Sequence, residues 1–108
     1  MIIEDDVKLK KKVSRRRGKE YISYFTTFSI KYSEILKSFR ELHNVEIITE
    51  KGNKIVLPKA VLYQYSYYIN RRTGQKVPQY SITIPKIYAE ELEKNGVKRL
   101  KIIVEVPG

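Results

Sequence analysis

The chain has 108 residues, of which 42% are hydrophobic, and it combines a net charge of +10 with a complete absence of cysteine. These values fit one compact domain over residues 1–108, and the missing thiols exclude disulfides, zinc ribbons and thiolate catalysis. Because the apolar runs are short and residues 1–6 lack a basic-then-apolar order, we expect a cytoplasmic protein without a signal peptide or a membrane-spanning segment.

The first predicted elements are two strands joined by a basic loop. Residues 1–6 form a short lead-in that either frames the first strand or frays at the terminus. Residues 7–13 alternate apolar side chains with lysines, as in a strand with one buried and one cationic face. Gly18 gives residues 14–20 the conformational freedom of a loop. Residues 21–30 are rich in β-branched and aromatic side chains and predict the second strand.

The first helix is predicted over residues 31–44, with Ser33 as its N-cap. Apolar side chains recur at helical spacing and predict its buried face: Ile35, Leu36, Phe39 and Leu42. His43 and Asn44 close the helix. Since a cation is favoured at a helix C-terminus, a structural role for His43 is favoured over a catalytic one.

A β-hairpin is predicted after this helix. Residues 45–49 form a strand, residues 50–53 a turn and residues 54–57 the return strand. Pro58 is predicted to end the return strand, because proline cannot donate to a strand ladder.

Residues 61–69 predict the next strand, with Tyr63, Tyr65 and Tyr67 on one face. The favoured interpretation places these rings in the core with their hydroxyls at its rim. The alternative is a platform on which exposed bases of a single strand stack.

The last third of the chain predicts a strand, a helix and a strand. Residues 80–84 alternate isoleucine with polar side chains. In the final strand, residues 100–106, one face carries Leu100, Ile102 and Val104. Both strands are therefore predicted to bury one face.

The helix between these strands has readable ends. Pro85 suits a first turn, where a missing N–H costs nothing, and Asn95-Gly96 supplies the left-handed residue that stops a helix. Ile87 and Leu92 give it one apolar stripe, through which we expect it to pack on the sheet.

Similar segments recur along the chain at an offset of 54 to 56 residues. Residues 13–19 align with 69–75, residues 28–30 with 82–84, and residues 45–50 with 100–105. The chain is therefore interpreted as a tandem duplication, with repeat one over 1–58 and repeat two over 59–108.

The run Ile82-Thr83-Ile84-Pro85-Lys86, followed by Glu90, Glu91 and Leu92, resembles the AbrB-like (SpoVT/MazE) swapped-hairpin family. That family's unit has a strand ending in I-T-I-P-K, a short acidic helix and an apolar strand; its usual Gly-Asp turn is replaced here by Asn95-Gly96-Val97-Lys98. The resemblance implies a mainly β fold with two short helices (α+β), an AbrB-like swapped-hairpin β-barrel formed by the two internal repeats. One chain would then supply both halves, as a monomer with pseudo-twofold symmetry.

The excess charge is confined to two matched segments. Residues 7–19 carry eight basic groups and no acid, residues 70–79 carry three and no acid, and the rest of the chain holds eleven basic and twelve acidic groups. A polyanion is the ligand that such segments suit. Solvated charge on a thermophile-like surface is the alternative.

Arginine and lysine suit different parts of a nucleic acid. The planar guanidinium can engage two phosphate oxygens or the O6 and N7 of guanine, whereas lysine is a mobile point charge suited to phosphate. The predicted anchors are Arg15, Arg16, Arg17, Arg71 and Arg72, and the predicted phosphate neutralisers are Lys8, Lys10, Lys11, Lys12, Lys19 and Lys76. In the family that the chain resembles, arginines of this loop contact DNA, which implies the same role for these five arginines.

We therefore expect a nucleoid-associated protein that binds double-stranded DNA as a transcription regulator or architectural chromatin protein. Single-stranded nucleic acid and an acidic protein are further candidate partners. With one histidine and no cysteine, the chain predicts no catalysis, no metal and no cofactor. The competing class is a protein-interaction module, such as an accessory subunit of a replication or transcription assembly. An antitoxin fits less well, because no toxin-wrapping tail follows the last strand.

Overall fold

The computed structural model describes residues 1–107 as a mainly β chain with two short helices, as predicted. The seven strands are β1 (Ile2–Lys8), β2 (Lys10–Arg16), β3 (Lys19–Thr27), β4 (Glu41–Thr49), β5 (Lys54–Ile69), β6 (Lys76–Ile84) and β7 (Arg99–Glu105). A 3-10 turn (Ile30–Tyr32) leads into the single-turn helix α1 (Ser33–Leu36), and α2 spans Lys86–Lys94. Neither helix has the length and apolar run that crossing a bilayer requires.

All paired strands are antiparallel, in the order β1-β7-β4-β5-β6-β3-β2, and the sheet curls into a half-barrel. We call β1, β7, β4 and the first half of β5 sheet A, and the second half of β5 with β6, β3 and β2 sheet B. The 16-residue β5 thus belongs to both sheets. A single residue, Leu9, joins β1 of sheet A to β2 of sheet B.

The two halves of the chain pair in the same pattern. Pairing of β1 with β7 is matched by pairing of β5 with β4, and pairing of β2 with β3 is matched by pairing of β5 with β6. The remaining two pairings join the halves: β3 with β6, where Thr26 faces Ile82, and β4 with β7, where Ile47 faces Ile102. The helices cross over likewise, since α2 contacts β3 and α1 contacts β6.

The core lies between the inner faces of the two sheets. Its fully buried aliphatic side chains alternate along their strands, as a half-buried sheet requires: Ile3, Val45, Ile47, Ile82, Ile84, Ile102 and Val104. The predicted face of β7 is confirmed, as is the buried pair on β6. Burying each such side chain contributes about 1.5–3 kcal/mol.

The helix predicted over residues 31–44 is wrong beyond Leu36. Residues Glu41–Thr49 form β4, because pairing with both β5 and β7 outweighs the local helical spacing of the apolar residues. Ser33 is not an N-cap; its hydroxyl donates to the carbonyl oxygen of Pro78 at 2.6 Å. His43 lies within β4, with its Nε2 3.3 Å from Glu41 Oε1, so the predicted helix-end role is also wrong.

Several predicted strand limits are also wrong. The strand predicted over residues 7–13 is divided at Leu9 between β1 and β2, and the strand predicted over residues 21–30 begins at Lys19 and ends at Thr27. Of the two alternatives for residues 1–6, the structure has the strand, since residues 2–6 belong to β1 and Ile3 is fully buried. The turn at residues 50–53 is confirmed, but β5 runs straight through Pro58. Proline is tolerated there because this half of β5 is the edge of sheet A.

Helix α2 is confirmed with one correction. It ends at Asn95 and Gly96, whose φ of +72° is the expected left-handed stop, and Pro85 precedes its first turn. Ala89 and Leu92 form its buried face, whereas Ile87 is 75% exposed rather than part of the stripe.

A buried carboxylate links β1 to the segment after β3. Asp5 is 7% exposed, and its Oδ2 accepts the backbone N–H of Ser29 at 2.7 Å. Burial raises the pKa of Asp5 above its ordinary value, although the Ser29 hydrogen bond opposes part of this shift. The folded chain therefore holds the Asp5 proton more tightly than the unfolded chain does.

We expect Asp5→Asn to remove the decrease in the free energy of unfolding that the ionisation of Asp5 causes as pH rises. Between the ordinary pKa of 3.8 and the raised folded value, the folded state binds more protons, so the stability of the wild type falls as pH rises. Asparagine keeps an acceptor for Ser29 but does not ionise. Urea midpoints measured from about pH 3 to pH 7 should show the variant gaining on the wild type as pH increases.

Glu90→Gln, which removes one exposed carboxylate from α2, provides the control for this experiment. The gain with rising pH should be larger for Asp5→Asn than for this variant. Parallel profiles for the wild type and Asp5→Asn would contradict the role assigned to the buried carboxylate.

Candidate nucleic-acid interface

The β2–β3 hairpin projects beyond the core. Strand β3 pairs with β6 only over Tyr24–Thr27, so its earlier residues are held by β2 alone. We call the projecting part, residues 13–22, the first arm. Val13, which was predicted to be buried, is 50% exposed because the core does not extend beneath this arm.

The turn of the first arm is shorter than the predicted loop over residues 14–20. The strands continue to Arg16 and from Lys19, leaving only Arg17 and Gly18 between them. Both turn residues have positive φ, +51° and +75°, as a two-residue type I′ turn requires. Asparagine or glycine normally occupies the first of these positions. An arginine there costs on the order of 1 kcal/mol.

The tip of the first arm is strongly cationic. Arg16 lies directly opposite Lys19, and like charges in such a pair repel. Together with Arg17 and Tyr21 they line a shallow depression. Among residues 1–107, no carboxylate lies within the 4.0 Å salt-bridge distance of these three cations.

Two other basic residues of this segment are engaged within the protein. Arg15 lies opposite Glu20, and its guanidinium is 3.8 Å from that carboxylate. Lys11 is 3.4 Å from Glu93 of α2. Tyr24 donates to the same Glu93 carboxylate at 3.3 Å, and burial followed by the Glu93 charge raises the pKa of Tyr24. These contacts tie the base of the arm to α2.

The β5–β6 hairpin forms a second arm, residues 67–78, with a longer turn. Asn70 organises it: its side-chain oxygen accepts the N–H of Arg72 at 3.0 Å, and its carbonyl oxygen accepts the N–H of Gly74 at 2.7 Å. Arg71 and Arg72 are exposed on this turn. Lys76 Nζ lies 6.0 Å from the centre of the Tyr67 ring.

The structure does not bring the two arms together. Strands β3 and β6 are antiparallel, and they pair only through the halves that lie away from their turns, Tyr24–Thr27 and Ser81–Ile84. The two turns therefore lie at opposite ends of sheet B. About eight residues of β3 and five of β6 separate them, on the order of 40 Å along the sheet. The longest extent of the molecule is also 40 Å.

The predicted lysines are divided between surfaces. Lys10, Lys12 and Arg16 lie on the outer face of β2, with Ser14 between the last two. Every second residue of a strand is about 7 Å from the next one on the same face. Lys19 lies at the turn, Lys76 belongs to the second arm, and Lys8 is exposed on β1. The predicted residues therefore form two separate basic arms and a line of cations on β2.

The tyrosines of β5 were placed wrongly in the core. Tyr63, Tyr65 and Tyr67 are 36%, 47% and 53% exposed, and Leu62 takes the inward position instead. The inward face of this strand is the one that carries Leu62, which pairs with the buried Ile82, so Tyr63 and Tyr65 lie on the opposite face. A bulge between Gln64 and Ser66 then moves Tyr67 off the face of the other two tyrosines. Partial burial raises the pKa of Tyr63. Sequence reasoning also missed Tyr21 at the first arm, although its strand alternation with Arg16 and Lys19 was available as a signal.

A cleft of about 790 Å³ lies elsewhere, on sheet A. Its lining includes Glu41, Glu46 and Glu105 beside Ile2 and Ile103. Glu41 and Glu46 pair with Lys59 and Lys54, so this cleft lacks the uncompensated positive charge of the first arm and suits a different partner.

Comparisons of the chain with models of protein families, with curated proteins and with solved structures give no match.

We expect Arg17→Asn to stabilise the protein by about 0.5–1 kcal/mol, because asparagine tolerates the left-handed backbone better than arginine. Urea unfolding would measure the change. Arg72→Asn is the control, since it removes the same charge at a position without positive φ. Equal effects of the two substitutions would attribute any gain to charge alone and contradict the strain at Arg17.

Proposed function

We propose that the protein binds double-stranded DNA through its two basic arms. The observation that carries this proposal is the tip of the first arm, where Arg16 faces Lys19 and Arg17 occupies a costly backbone position. Both features lower stability, and the positive charge that they place at the tip favours the binding of an anion. A row of phosphates supplies the negative charge that the folded chain does not place there.

Contacts to phosphates and contacts to base edges would have different roles. Lysine and arginine on phosphates release counterions, which gives affinity that falls steeply with salt. A two-stranded β-ribbon fits the major groove, so Arg16 and Arg17 at the end of such a ribbon can reach base edges. Binding through phosphate contacts alone suits an architectural chromatin protein, and added base contacts suit a transcription regulator.

The spacing of the arms is compatible with one face of a duplex. One helical turn of B-DNA is ~34–36 Å. The path between the arm tips is on the order of 40 Å along the sheet, and the curl of the sheet shortens the direct distance. In this proposal the arms contact successive turns of the same duplex.

We further propose that the chain is an AbrB-like swapped-hairpin barrel built by internal duplication. The matched pairing of the two halves supports this assignment, as does the crossing of each helix to the hairpin of the other half. The predicted boundary between residues 58 and 59 lies inside β5. In our proposal the whole of β5 is the counterpart of β1 and β2, and the monomer has pseudo-twofold symmetry.

A second candidate function is a protein-interaction module, such as an accessory subunit of a replication or transcription assembly. The cleft on sheet A favours it, because it combines apolar side chains with carboxylates and lies away from the arms. The two functions are compatible on one molecule.

The test is a salt titration of binding to a random-sequence DNA duplex. We expect log affinity to fall linearly with log salt, and Arg16→Ala/Arg17→Ala to weaken binding roughly tenfold or more and to reduce the slope by about one unit per lost phosphate contact. Arg71→Ala/Arg72→Ala should weaken binding less, since the first arm holds more uncompensated charge.

The matched control is Lys54→Ala/Lys59→Ala, which removes two charges from sheet A, where they pair with Glu46 and Glu41. It should leave duplex affinity nearly unchanged. If it weakened binding as much as the arm variants, binding would reflect net charge alone. Equal losses from the two arms would refute the asymmetry, and no binding at low salt would refute DNA binding.

A further inference from the structure

The outer face of sheet B carries aromatic side chains that the core does not use. Phe25 of β3 lies outside the buried core cluster, although it is only 6% exposed. It is covered from outside by Tyr65 of β5, with ring centres 5.0 Å apart and planes at 40°. Tyr65 remains 47% exposed, and Tyr63 beside it is 36% exposed.

Strand alternation places Tyr65 on the same outer face as Tyr63, and a β-bulge leaves Tyr65 without a cross-strand partner. Gln64 pairs with Tyr80 and Ser66 with Gln79, so Tyr65 is the extra residue between two consecutive partners. A bulge redirects a side chain at the cost of a regular ladder. Here it brings Ser66, the residue after Tyr65, opposite Gln79 on the same face.

A lysine completes the aromatic cluster. Lys10 is the cross-strand partner of Phe25, and its Nζ lies 6.0 Å from the Phe25 ring centre and 5.3 Å from the Tyr65 ring centre. It also lies 3.4 Å from Thr27 Oγ1. The cation is thus held beside the rings while its charge faces outward. We call Phe25, Tyr63, Tyr65 and Lys10 the aromatic platform.

The surroundings of the platform are small, polar and uncharged or basic. Thr27 and Ser81 hydroxyls are 2.8 Å apart, and Ser66 donates to Gln79 at 2.7 Å. No carboxylate takes part in these hydrogen bonds, so none opposes an anion beside the exposed rings. Strand alternation places Lys12 and Arg16 on the same face of β2, leading from Lys10 to the tip of the first arm.

Exposed rings beside a line of cations fit an unpaired strand of nucleic acid. Unpaired bases stack on aromatic side chains while cations follow the backbone. A duplex keeps its base faces inside its own stack and offers these rings only its sugar-phosphate exterior. An apolar protein partner would not account for the row of cations beside the rings.

We propose that the aromatic platform is a stacking site for unpaired bases of single-stranded nucleic acid, whose backbone runs along Lys10, Lys12 and Arg16. Its rings lie apart from the arm tips, whereas Arg16 would contact both ligands. Variants of Tyr65, not of the arginines, therefore test this site, which stands whether or not duplex binding holds. DNA and RNA share the recognised chemistry, so both are included in the test.

The test measures binding of thymidine and uridine oligonucleotides of about 12 nucleotides by fluorescence anisotropy. Tyr65→Ala should weaken binding by about tenfold, the usual effect of losing one base–aromatic stack, whereas Tyr65→Phe should retain it. Tyr88→Ala, which removes an exposed tyrosine on α2, is the matched control. Since the chain has nine tyrosines and no tryptophan, tyrosine fluorescence provides a second readout of stacking.

An abasic oligonucleotide of the same length separates stacking from charge. It should bind more weakly than the thymidine strand, and Tyr65→Ala should not weaken it further. Equal affinity for abasic and thymidine strands would overturn the proposal, as would wild-type affinity in Tyr65→Ala. Loss of duplex binding in Arg16→Ala/Arg17→Ala with the tyrosine effect intact would support both sites.

Discussion

Strand continuity between the two sheets is the constraint on which the structure depends. Strand β5 passes from sheet A to sheet B without a break, and β1 continues into β2 through Leu9 alone. Each of these two long segments, β5 and β1 with β2, must pair with different strands at its two ends. Since the core can cover only the middle, the ends that carry the turns project as arms. The exposure of Val13 and Tyr67 follows from the same geometry.

Ion pairs are distributed unequally between sheet A and the tip of the first arm. On sheet A, lysines face carboxylates: Lys54 with Glu46, Lys59 with Glu41 and Lys101 with Glu4. These exposed pairs contribute little to stability individually, but they leave that surface nearly neutral. The tip of the first arm has no such compensation. A polyanion approaching the molecule therefore meets a potential that is highest at the parts of the chain that extend farthest from the core.

How much the sequence predicts depends on whether the decisive interaction is local. The alternation of Leu100, Ile102 and Val104, the turn at residues 50–53 and the glycine stop at Gly96 are local, and all three were predicted correctly. Residues 41–44 were predicted as helix because Phe39 and Leu42 have helical spacing, whereas their actual pairing partners lie far away in the chain. The bulge at Tyr65 and the tolerance of Pro58 depend on neighbouring strands in the same way. For the candidate site, charge counting located both arms, but it could not show that the turns lie at opposite ends of one sheet.

The lysines of β2 also affect how copies of the chain meet one another. Strand β2 is the last strand of sheet B, so its outer side presents unpaired backbone groups of the kind that recruit another strand. Three consecutive lysines, Lys10 to Lys12, occupy this edge, and lysine on an edge strand opposes aggregation by repulsion between copies. A bound polyanion would neutralise part of that charge. The edge strand β2 is therefore best protected against self-association when no polyanion is bound. If many copies were crowded on one polyanion, the repulsion between their edge strands would be weakest.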